Sequence, residues 1–396
     1  MKIAIVFGTR PELIKLAPVI FALQKDFGLA TIFSGQHTSL VENALSFFGI
    51  KPDYNFDCMN RKADLGALTA KIHKEMSGVF RKERPGAIVV QGDTMTAYTA
   101  AFQGFLNKIP VAHVEAGLRT NNKFSPYPEE MLRNLVSRIA DFHFAPTESA
   151  KKNLLREKTR GDRILVTGNT VVDSLLMAER LLDEREVTAE LAAYSPGIKG
   201  LLEKKKIVLV TSHRRENIAG GLREICSAIN TLAMKHGDAL FIWPLHKNPD
   251  VRKGILESIN RRAGNILLTE ALSYPATVYL MRKSFMIMTD SGGIQEEAPT
   301  FKHPVLVLRE FTERPEVVES GIGFLTGADE KKIISAFSRL WEDKKFYRSV
   351  TGIKNPFGDG KASRRILDFF RSREVMDFMA DYPGSSGRKF KIGFKE

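Results

Sequence analysis

Short runs of apolar, mostly β-branched residues recur along the chain, with amphipathic stretches between them. The runs are Ile3–Phe7, Ala30–Phe33, Ala87–Val90, Val111–Val114, Phe142–Ala145, Ile164–Val166, Ile207–Val210, Leu240–Trp243, Ile266–Leu268, Phe285–Met288 and Val305–Leu308. Near-continuous apolar strands separated by helical patterns are typical of parallel sheets that helices bury on both faces. The series occurs once in each half of the chain. This predicts an α/β fold with two doubly wound, Rossmann-like domains.

The length of 396 residues is sufficient for two such domains. We expect an N-terminal domain over 1–170 and a C-terminal domain over 171–363. A further helical pattern, Arg364–Asp377, predicts a C-terminal helix within 364–381 that packs back on the N-terminal domain, followed by a disordered basic tail over 382–396. Ligands of open α/β sheets bind beyond the carboxyl ends of the strands. We therefore expect the site in a central cleft that both domains face.

The composition, with 43% hydrophobic and 27% charged residues, excludes collagen-like, disordered and disulfide-rich chains. The net charge of +13 fits an anionic partner, but the basic residues are dispersed and lack interleaved aromatic residues. We interpret them as a solvated basic surface and expect no nucleic-acid partner.

Cysteine usage and hydropathy bear on the cellular compartment. Cys58 and Cys226 form no CxxC motif, which favours two buried thiols in a reducing compartment. The apolar stretch at the N-terminus is too short for a signal peptide, and no run reaches the ~20 apolar residues of a membrane span. We expect a soluble, cytoplasmic protein without membrane insertion. His236, His246 and His303 lack ligand partners at the usual spacings, so we expect no metal site.

A glycine turn follows the first predicted strand, as Gly8-Thr9-Arg10-Pro11-Glu12, and Lys15 lies one turn into the next helix. Such a turn offers free backbone N–H groups and the positive end of the helix dipole to an anion, and Arg10 adds a bidentate phosphate donor. The motif is neither a Walker A loop nor GxGxxG. An ordinary turn with exposed charges remains an open alternative.

Three acidic residues also follow predicted strands or open a predicted helix. They are Asp93 in Gln91-Gly92-Asp93-Thr94, Glu115 in Glu115-Ala116-Gly117, and Glu129 in Pro128-Glu129-Glu130. Each one alone is compatible with a helix cap or a first-turn residue. Together they indicate a set of acid and base groups.

In the second half, His213 follows a predicted strand and Ser291-Gly292-Gly293 forms a strand-to-helix turn. A histidine at this place is suited to donate to a phosphate or to protonate a leaving group. The small residues of the turn let backbone N–H groups approach a diphosphate closely. Glu297, one turn further, is then placed for a ribose diol.

Taken together, these segments resemble the non-hydrolysing UDP-N-acetylglucosamine 2-epimerase family. The motifs that carry the resemblance are GTRPE with Lys15 (Gly8–Lys15), GQH (Gly35–His37), QGDT (Gln91–Thr94), HVEAGLRT (His113–Thr120), PEE (Pro128–Glu130), TGNTVVD (Thr167–Asp173), HRREN (His213–Asn217), DSGGIQEEAP (Asp290–Pro299), TERPE (Thr312–Glu316) and NPFGDG (Asn355–Gly360). These ten motifs occur in the same order as in the family and are distributed over nearly the whole chain, from Gly8 to Gly360.

The resemblance implies a glycosyltransferase-B-like isomerase that needs neither NAD nor metal. Members interconvert UDP-GlcNAc and UDP-ManNAc: an anti elimination of UDP gives a 2-acetamidoglucal, and UDP then adds back. The resemblance also implies a homodimer and a role in polysaccharide biosynthesis.

Roles pass to this chain by matching positions. The residues matched to UDP binding are Arg10, His213, Ser291, Gly292, Gly293 and Arg314, with Glu297 on the ribose. Asp93, Glu115 and Glu129 match the groups that move protons at C2, and His213 joins this catalytic set. Lys15 matches a cation that contacts the ligand or tunes these carboxylates. Which carboxylate acts as base and which as acid stays open.

Three departures from the family pattern concern the edges of the site. Leu132 precedes Arg133 where the family has PEExNR, and Thr38 replaces the arginine of GQHR. Thr277 stands where many members place a phenylalanine near the uracil, so we assign the uracil contacts to Leu272, Tyr274 and Thr277.

Gln36 and His246 match a second, regulatory UDP-GlcNAc site of bacterial members. Two alternatives remain, a 2-epimerase of a modified UDP-HexNAc and a hydrolysing relative that releases ManNAc and UDP.

Overall fold

The computed structural model describes residues 1–35, 39–58, 64–214, 220–260 and 262–385. It divides into two compact units. Unit 1 comprises Met1–Met177 and the described residues from Gly358 onward, and unit 2 comprises Ala178–Phe357. The sequence placed the two boundaries after 170 and after 363. Within the described residues no helix is long and apolar enough to cross a membrane.

Unit 1 is built on a seven-stranded sheet in which every pair of neighbours is parallel. Its strands are β1 (Lys2–Phe7), β2 (Gly28–Phe33), β3 (Tyr54–Asn55), β4 (Ala87–Gln91), β5 (Val111–Val114), β6 (Phe142–Ala145) and β7 (Ile164–Val166). Their order is β3-β2-β1-β4-β5-β6-β7. The order reverses between β1 and β4, which is the place where open α/β sheets bind ligands.

The helices of unit 1 lie in both of its chain segments. The first segment contains α1 (Arg10–Leu23), α2 (Ser39–Phe48), α3 (Leu65–Glu83), α4 (Met95–Leu106), α5 (Glu129–Ile139), α6 (Glu148–Arg156) and α7 (Thr170–Leu181), whose last residues enter unit 2. Pro11 lies in the first turn of α1, and Leu13, Leu16, Ala17 and Ile20, whose spacing places them on one face of the helix, are all buried.

Unit 2 repeats this plan with a six-stranded parallel sheet. The strands are β8 (Lys206–Thr211), β9 (Ala239–Pro244), β10 (Ile266–Thr269), β11 (Ser284–Thr289), β12 (Val305–Val307) and β13 (Gly323–Leu325), in the order β10-β9-β8-β11-β12-β13. Its described helices are α8 (Glu184–Ala192), α9 (Ile198–Lys204), α10 (Gly221–Lys235), α11 (Pro249–Ser258), α12 (Tyr274–Lys283), α13 (Gly292–Glu297), α14 (Pro315–Glu319), α15 (Glu330–Glu342) and α16 (Lys344–Thr351). Here the reversal falls between β8 and β11.

All eleven predicted strands are present, and the prediction of two doubly wound domains is confirmed. Two strands were missed, β3 and β13. β3 has only two residues, and β13 begins with Gly323 and ends with the exposed Leu325, so neither contains a run of buried apolar residues like those that identified the other strands.

The C-terminal segment forms two helices, α17 (Ala362–Arg371) and α18 (Arg373–Asp381), where the sequence predicted one. The break is at Ser372, whose extended backbone and side chain cap α18. Phe369 contacts the rings of Phe142 and Phe144, and Arg371 forms an ion pair with Asp26 at 2.5 Å. This segment therefore packs on unit 1. Of the predicted tail, only residues 382–385 lie in the described part of the chain.

Candidate active site

At the reversal point of unit 1, the chain turns from β1 into α1 with almost no free space. A Cβ atom on Gly8 would lie 2.2 Å from the hydroxyl oxygen of Thr96 and 2.3 Å from that of Ser34, so only glycine fits. Thr9 caps the helix, and Arg10 is its first residue, half-buried. The turn that we predicted to bind an anion thus leads directly into α1, at the positive end of the dipole of that helix.

The carboxylate of Glu12 holds this turn together. It is buried and accepts hydrogen bonds from the N–H groups of Gly8 (3.0 Å) and Thr9 (2.8 Å) and from the Thr9 hydroxyl (2.8 Å). Its second oxygen accepts from the hydroxyl of Thr94 on the loop after β4, at 2.6 Å. Burial raises the pKa of Glu12 to about 7, against these hydrogen bonds, which lower it. Sequence reasoning gave Glu12 no role, although Thr-x-x-Glu at Thr9–Glu12 is a capping-box signal.

Glu115 is surrounded by donors. Its backbone is in the left-handed region, at φ +66°, directly after β5. One carboxylate oxygen forms an ion pair with Lys15 and accepts from the amide of Asn169 at 3.3 Å, and the other accepts from the amide of Gln91. The structure thus brings Lys15 and Glu115 together. Gln91 and Asn169 also belong to this cluster around Glu115, although the sequence analysis assigned them no role beyond membership of a motif.

Asp93 belongs to a second buried network. The guanidinium of Arg133 donates to one oxygen of Asp93 through Nε at 2.9 Å and also through Nη2, and Arg133 contacts Glu130 at 3.2 Å through Nη1. Glu130 is buried and accepts from the backbone N–H groups of Thr120 and Asn121, both at 3.0 Å. Arg133 was missed as a site residue because 40 positions separate it from Asp93.

Glu129 lies in the first turn of α5, as the sequence predicted, and its side chain is half-buried. The described residues give it no hydrogen bond and no ion pair. Leu132, the departure from the family pattern, is buried in the core and leaves the pair between Arg133 and Asp93 intact.

At the reversal point of unit 2, His213 follows β8. Its Nδ1 atom lies 3.4 Å from a carboxylate oxygen of Asp290, which follows β11, and its ring stacks on that of His246 with 5.1 Å between centroids. Burial lowers the pKa of His213; Asp290 opposes this, while His246, Arg214 and Arg309 lower it further. His246, which the sequence assigned to a regulatory site, thus contacts a residue of the catalytic set. Gln36 and the Arg215, Glu216 and Asn217 of the HRREN motif lie outside the described residues.

The Ser291-Gly292-Gly293 turn begins α13 and is surrounded by charged side chains. A Cβ atom on Gly292 would lie 3.7 Å from the Arg214 guanidinium and 4.0 Å from that of Arg314, and one on Gly293 would lie 3.9 Å from the Glu297 carboxylate. Arg314 is held by an ion pair with the buried Glu296. The Nε atom of Arg214 is buried and has no hydrogen-bond partner among the described residues. Arg214, which was not predicted, therefore has a donor available for an anion at this turn.

The three predicted uracil contacts lie together around the start of α12, and all are half-buried. They are Leu272, Tyr274 and Thr277. The Thr277 hydroxyl donates to the carbonyl of Ser273 at 2.9 Å, so its oxygen remains available only as an acceptor. Ser273 caps α12, and its N–H and hydroxyl donate to Glu190 at 2.9 and 2.6 Å.

A family model described as UDP-N-acetylglucosamine 2-epimerase matches residues 21–371 of this sequence. The chain belongs to the UDP-N-acetylglucosamine 2-epimerase family. The resemblance inferred from the ten motifs is thereby confirmed. The UDP-N-acetylglucosamine 2-epimerase of Yersinia pestis is 43% identical over 378 residues, which is 95% of this chain and the whole of that relative.

Solved structures of this family share the fold. A structure of UDP-GlcNAc 2-epimerase from Neisseria meningitidis bound to UDP-GlcNAc is 42% identical, has a TM-score of 0.84, and is covered completely by 94% of this chain. A structure of the Methanocaldococcus jannaschii UDP-GlcNAc 2-epimerase in complex with UDP-GlcNAc and UDP is 34% identical, with a TM-score of 0.74 over 94% of this chain and 99% of that one. The expected α/β class with two Rossmann-like domains is that of these epimerases.

The pKa of Glu12 predicts a pH-dependent stability. Between pH 4.5 and about 7 the unfolded chain ionises at this residue while the folded chain keeps its proton, so the folded state loses stability as pH rises and loses no more above about 7. The loss is on the order of 3 kcal/mol over this interval. Glu12→Gln, which cannot ionise, should lack this contribution.

The measurement is urea unfolding of the parent and of Glu12→Gln from pH 4.5 to 8. Because His113 and His143 also titrate, with pKa values lowered by burial to about 4 and about 3, the difference between the two proteins is the informative quantity. A difference that does not change with pH would contradict the prediction.

Proposed function

We propose that the chain catalyses the reversible C2 epimerisation of UDP-N-acetylglucosamine to UDP-N-acetylmannosamine, by anti elimination of UDP to a 2-acetamidoglucal and re-addition. One observation carries the proposal. The reversal point of unit 1 gathers carboxylates, and that of unit 2 gathers a histidine, two guanidinium groups and a glycine turn. Carboxylates are suited to move a proton at carbon, and cationic donors at a glycine turn are suited to bind a diphosphate. The proposed substrate requires both. The relatives, two of them solved with UDP-GlcNAc bound, support the same substrate.

The difficult step is the removal of a poorly acidic proton from C2 while the bond from C1 to the UDP oxygen breaks. In the proposed reaction Arg10, Arg314, His213 and the turn at Ser291 hold the diphosphate and stabilise the negative charge that UDP acquires on leaving. Glu297 binds the ribose diol. The glycal and UDP are both retained, and UDP returns to C1 as a proton adds to the other face of C2.

The three carboxylates are not equivalent in their surroundings. Glu115 already accepts hydrogen bonds on both oxygens, and a proton arriving there would compete with Lys15 or an amide. Asp93 is bound by Arg133 through one oxygen only. Glu129 has no described partner. We infer that Asp93 and Glu129 exchange protons with C2, whereas Glu115 and Lys15 orient the sugar.

We further propose that the chain forms a homodimer through one face of unit 1. Tyr127, Met131 and Leu135, spaced by four residues, are 66%, 45% and 39% exposed, and Phe124 stacks on Tyr127 at 6.4 Å between centroids. This apolar stripe runs along α5 and its N-terminal approach. An exposed stripe of this kind is costly in water, and a symmetric dimer buries it twice.

The proposed reaction predicts the products of a simple incubation. Proton NMR of UDP-GlcNAc with the protein should show UDP-ManNAc at equilibrium with it, and in D2O both should acquire deuterium at C2, because the glycal is reprotonated from groups that exchange with solvent. Free ManNAc with UDP would indicate the hydrolysing alternative. No reaction with UDP-GlcNAc, but turnover of a modified UDP-HexNAc, would reject the proposed substrate.

Substitution of the carboxylates should separate chemistry from binding. Asp93→Asn and Glu129→Gln should each lower turnover by roughly 10²-fold or more, the usual scale for acid and base groups. Glu115→Gln should lower it by about 10²-fold because the sugar is then misplaced. Calorimetry should still detect UDP binding by all three variants. Glu148→Gln, an exposed first-turn residue of α6, serves as control and should retain activity. Turnover close to that of the parent in all three variants would contradict the assignment.

The dimer is tested by light scattering coupled to gel filtration. The parent should elute as a dimer, and the double variant Met131→Lys/Leu135→Lys as a monomer, because two charges in each copy would have to be buried. Met234→Lys, at a 72% exposed position on α10 in unit 2, should remain dimeric. A dimeric double variant would place the interface elsewhere, and a monomeric parent would reject the dimer.

A further inference from the structure

Asp290 makes contacts that no motif assignment explains. Its carboxylate is completely buried and accepts from the Ser212 hydroxyl at 2.8 Å, from the His213 N–H at 2.9 and 3.0 Å through its two oxygens, and from the Arg214 N–H at 3.0 Å. All three donors belong to the loop after β8. Since β8 and β11 are parallel neighbours, paired at Thr211 and Thr289, this contact follows directly from the sheet.

The same carboxylate also faces the imidazole of His213. Its Oδ1 atom lies 3.4 Å from Nδ1 of the ring. One face of the ring is covered by His246, which stacks at an interplanar angle of 22° and is itself held by the Asn248 N–H, which donates to Nδ1 of His246 at 3.1 Å. The His213 ring is therefore fixed at one edge and on one face. Its Nε2 atom lies at the other edge.

We propose that Asp290 is a positioning residue that holds His213 with its proton on Nδ1, so that Nε2 takes up a proton when a nucleoside diphosphate binds and then donates it in a hydrogen bond to a phosphate oxygen. The proton comes from solvent, and Asp290 stabilises the imidazolium that results. The inference rests on the proposed function insofar as it takes UDP as the ligand.

The charges around His213 agree with this role. Asp290 contributes a negative charge from the end of β11, whereas Arg214 and Arg309 contribute positive charge from the loops after β8 and β12. The ring of His246, from the loop after β9, lies against the His213 ring. Burial and these cations lower the pKa of His213, which keeps the free ring mostly neutral at pH 7.5. A diphosphate adds negative charge beside the ring and reverses this balance. Its oxygen accepts from the second proton, on Nε2, while Asp290 accepts from the first, on Nδ1.

The test is calorimetric titration of UDP at pH 7.5 in buffers of different ionisation enthalpy, which counts the protons taken up on binding. The parent should take up about one proton more than His213→Gln, and Asp290→Asn should lose most of this difference although it keeps the imidazole. The matched control is Asp173→Asn. Asp173 is likewise a buried carboxylate that accepts from two backbone N–H groups and a serine hydroxyl, at Ala362 and Ser363, but it faces no histidine. Its variant should take up protons like the parent.

Turnover gives a second measurement. Asp290→Asn should lower it roughly 10- to 100-fold, which is less than the roughly 10²- to 10⁴-fold of a group that transfers the proton itself. In a His213→Gln background the loss should be less than about 2-fold, because residues that act as one unit are not additive. Proton uptake by Asp290→Asn equal to that of the parent, or an equal loss of turnover in both backgrounds, would overturn the proposal and leave Asp290 a structural role only.

A third measurement does not depend on the folding of Asp290→Asn. In nitrogen-15 histidine spectra of the parent, assigned with His213→Gln, the free ring should be protonated on Nδ1 and the UDP complex on both nitrogens. A free ring protonated on Nε2 would overturn the proposal. If the parent binds UDP with proton uptake but does not epimerise UDP-GlcNAc, the proposed function fails and this inference stands. If the parent epimerises UDP-GlcNAc but binds UDP without proton uptake, the inference is rejected and the proposed function stands.

Discussion

A buried carboxylate at the point where the strand order reverses organises each unit. In unit 1 it is Glu12, which accepts from the turn after β1 and from Thr94 after β4. In unit 2 it is Asp290, which follows β11 and accepts from the loop after β8. The two strands at such a point are paired, but the loops that follow them lie beyond the end of the strand ladder and are not held together by it. One carboxylate with several donors replaces the missing ladder.

These carboxylates are costly to bury, and the cost explains their placement. A buried carboxyl group is tolerated only where hydrogen bonds compensate for lost water, and the first N–H groups of a helix or a tight loop are donors that need a partner in any case. Glu12 uses the start of α1, and Asp290 uses the three consecutive residues Ser212, His213 and Arg214. Arg10 and His213, to which we assign diphosphate binding in the proposed reaction, are then carried on segments whose backbone is already fixed.

Structural features that depend on residues close together in the chain could be predicted from the sequence. Strands buried on both faces were recognisable from continuous apolar runs, and Gly8 and Ser291-Gly292-Gly293 marked their loops because a close backbone approach requires small residues there. Contacts between distant segments were not predictable. Asp93 and Arg133 are 40 residues apart, and Asp290 and His213 are 77 apart. Only the pairing of β4 with β5 and of β8 with β11 brings such segments together, and a single sequence does not state which strands are neighbours.

Two of the departures from the family pattern, at Leu132 and Thr277, leave the buried hydrogen-bond networks of the two units intact. Leu132 replaces a polar residue, yet it is buried in the core and the next residue, Arg133, still binds Asp93 and Glu130. Thr277 lacks the aromatic ring that many members have at this position, yet its hydroxyl donates to the carbonyl of Ser273 and leaves the Ser273 cap of α12 in place. Among the described residues, neither side chain forms a hydrogen bond or ion pair with a group that holds Glu115, Asp93 or His213. Variation at these two positions therefore leaves unchanged the hydrogen bonds and ion pairs that hold the groups of the proposed chemistry.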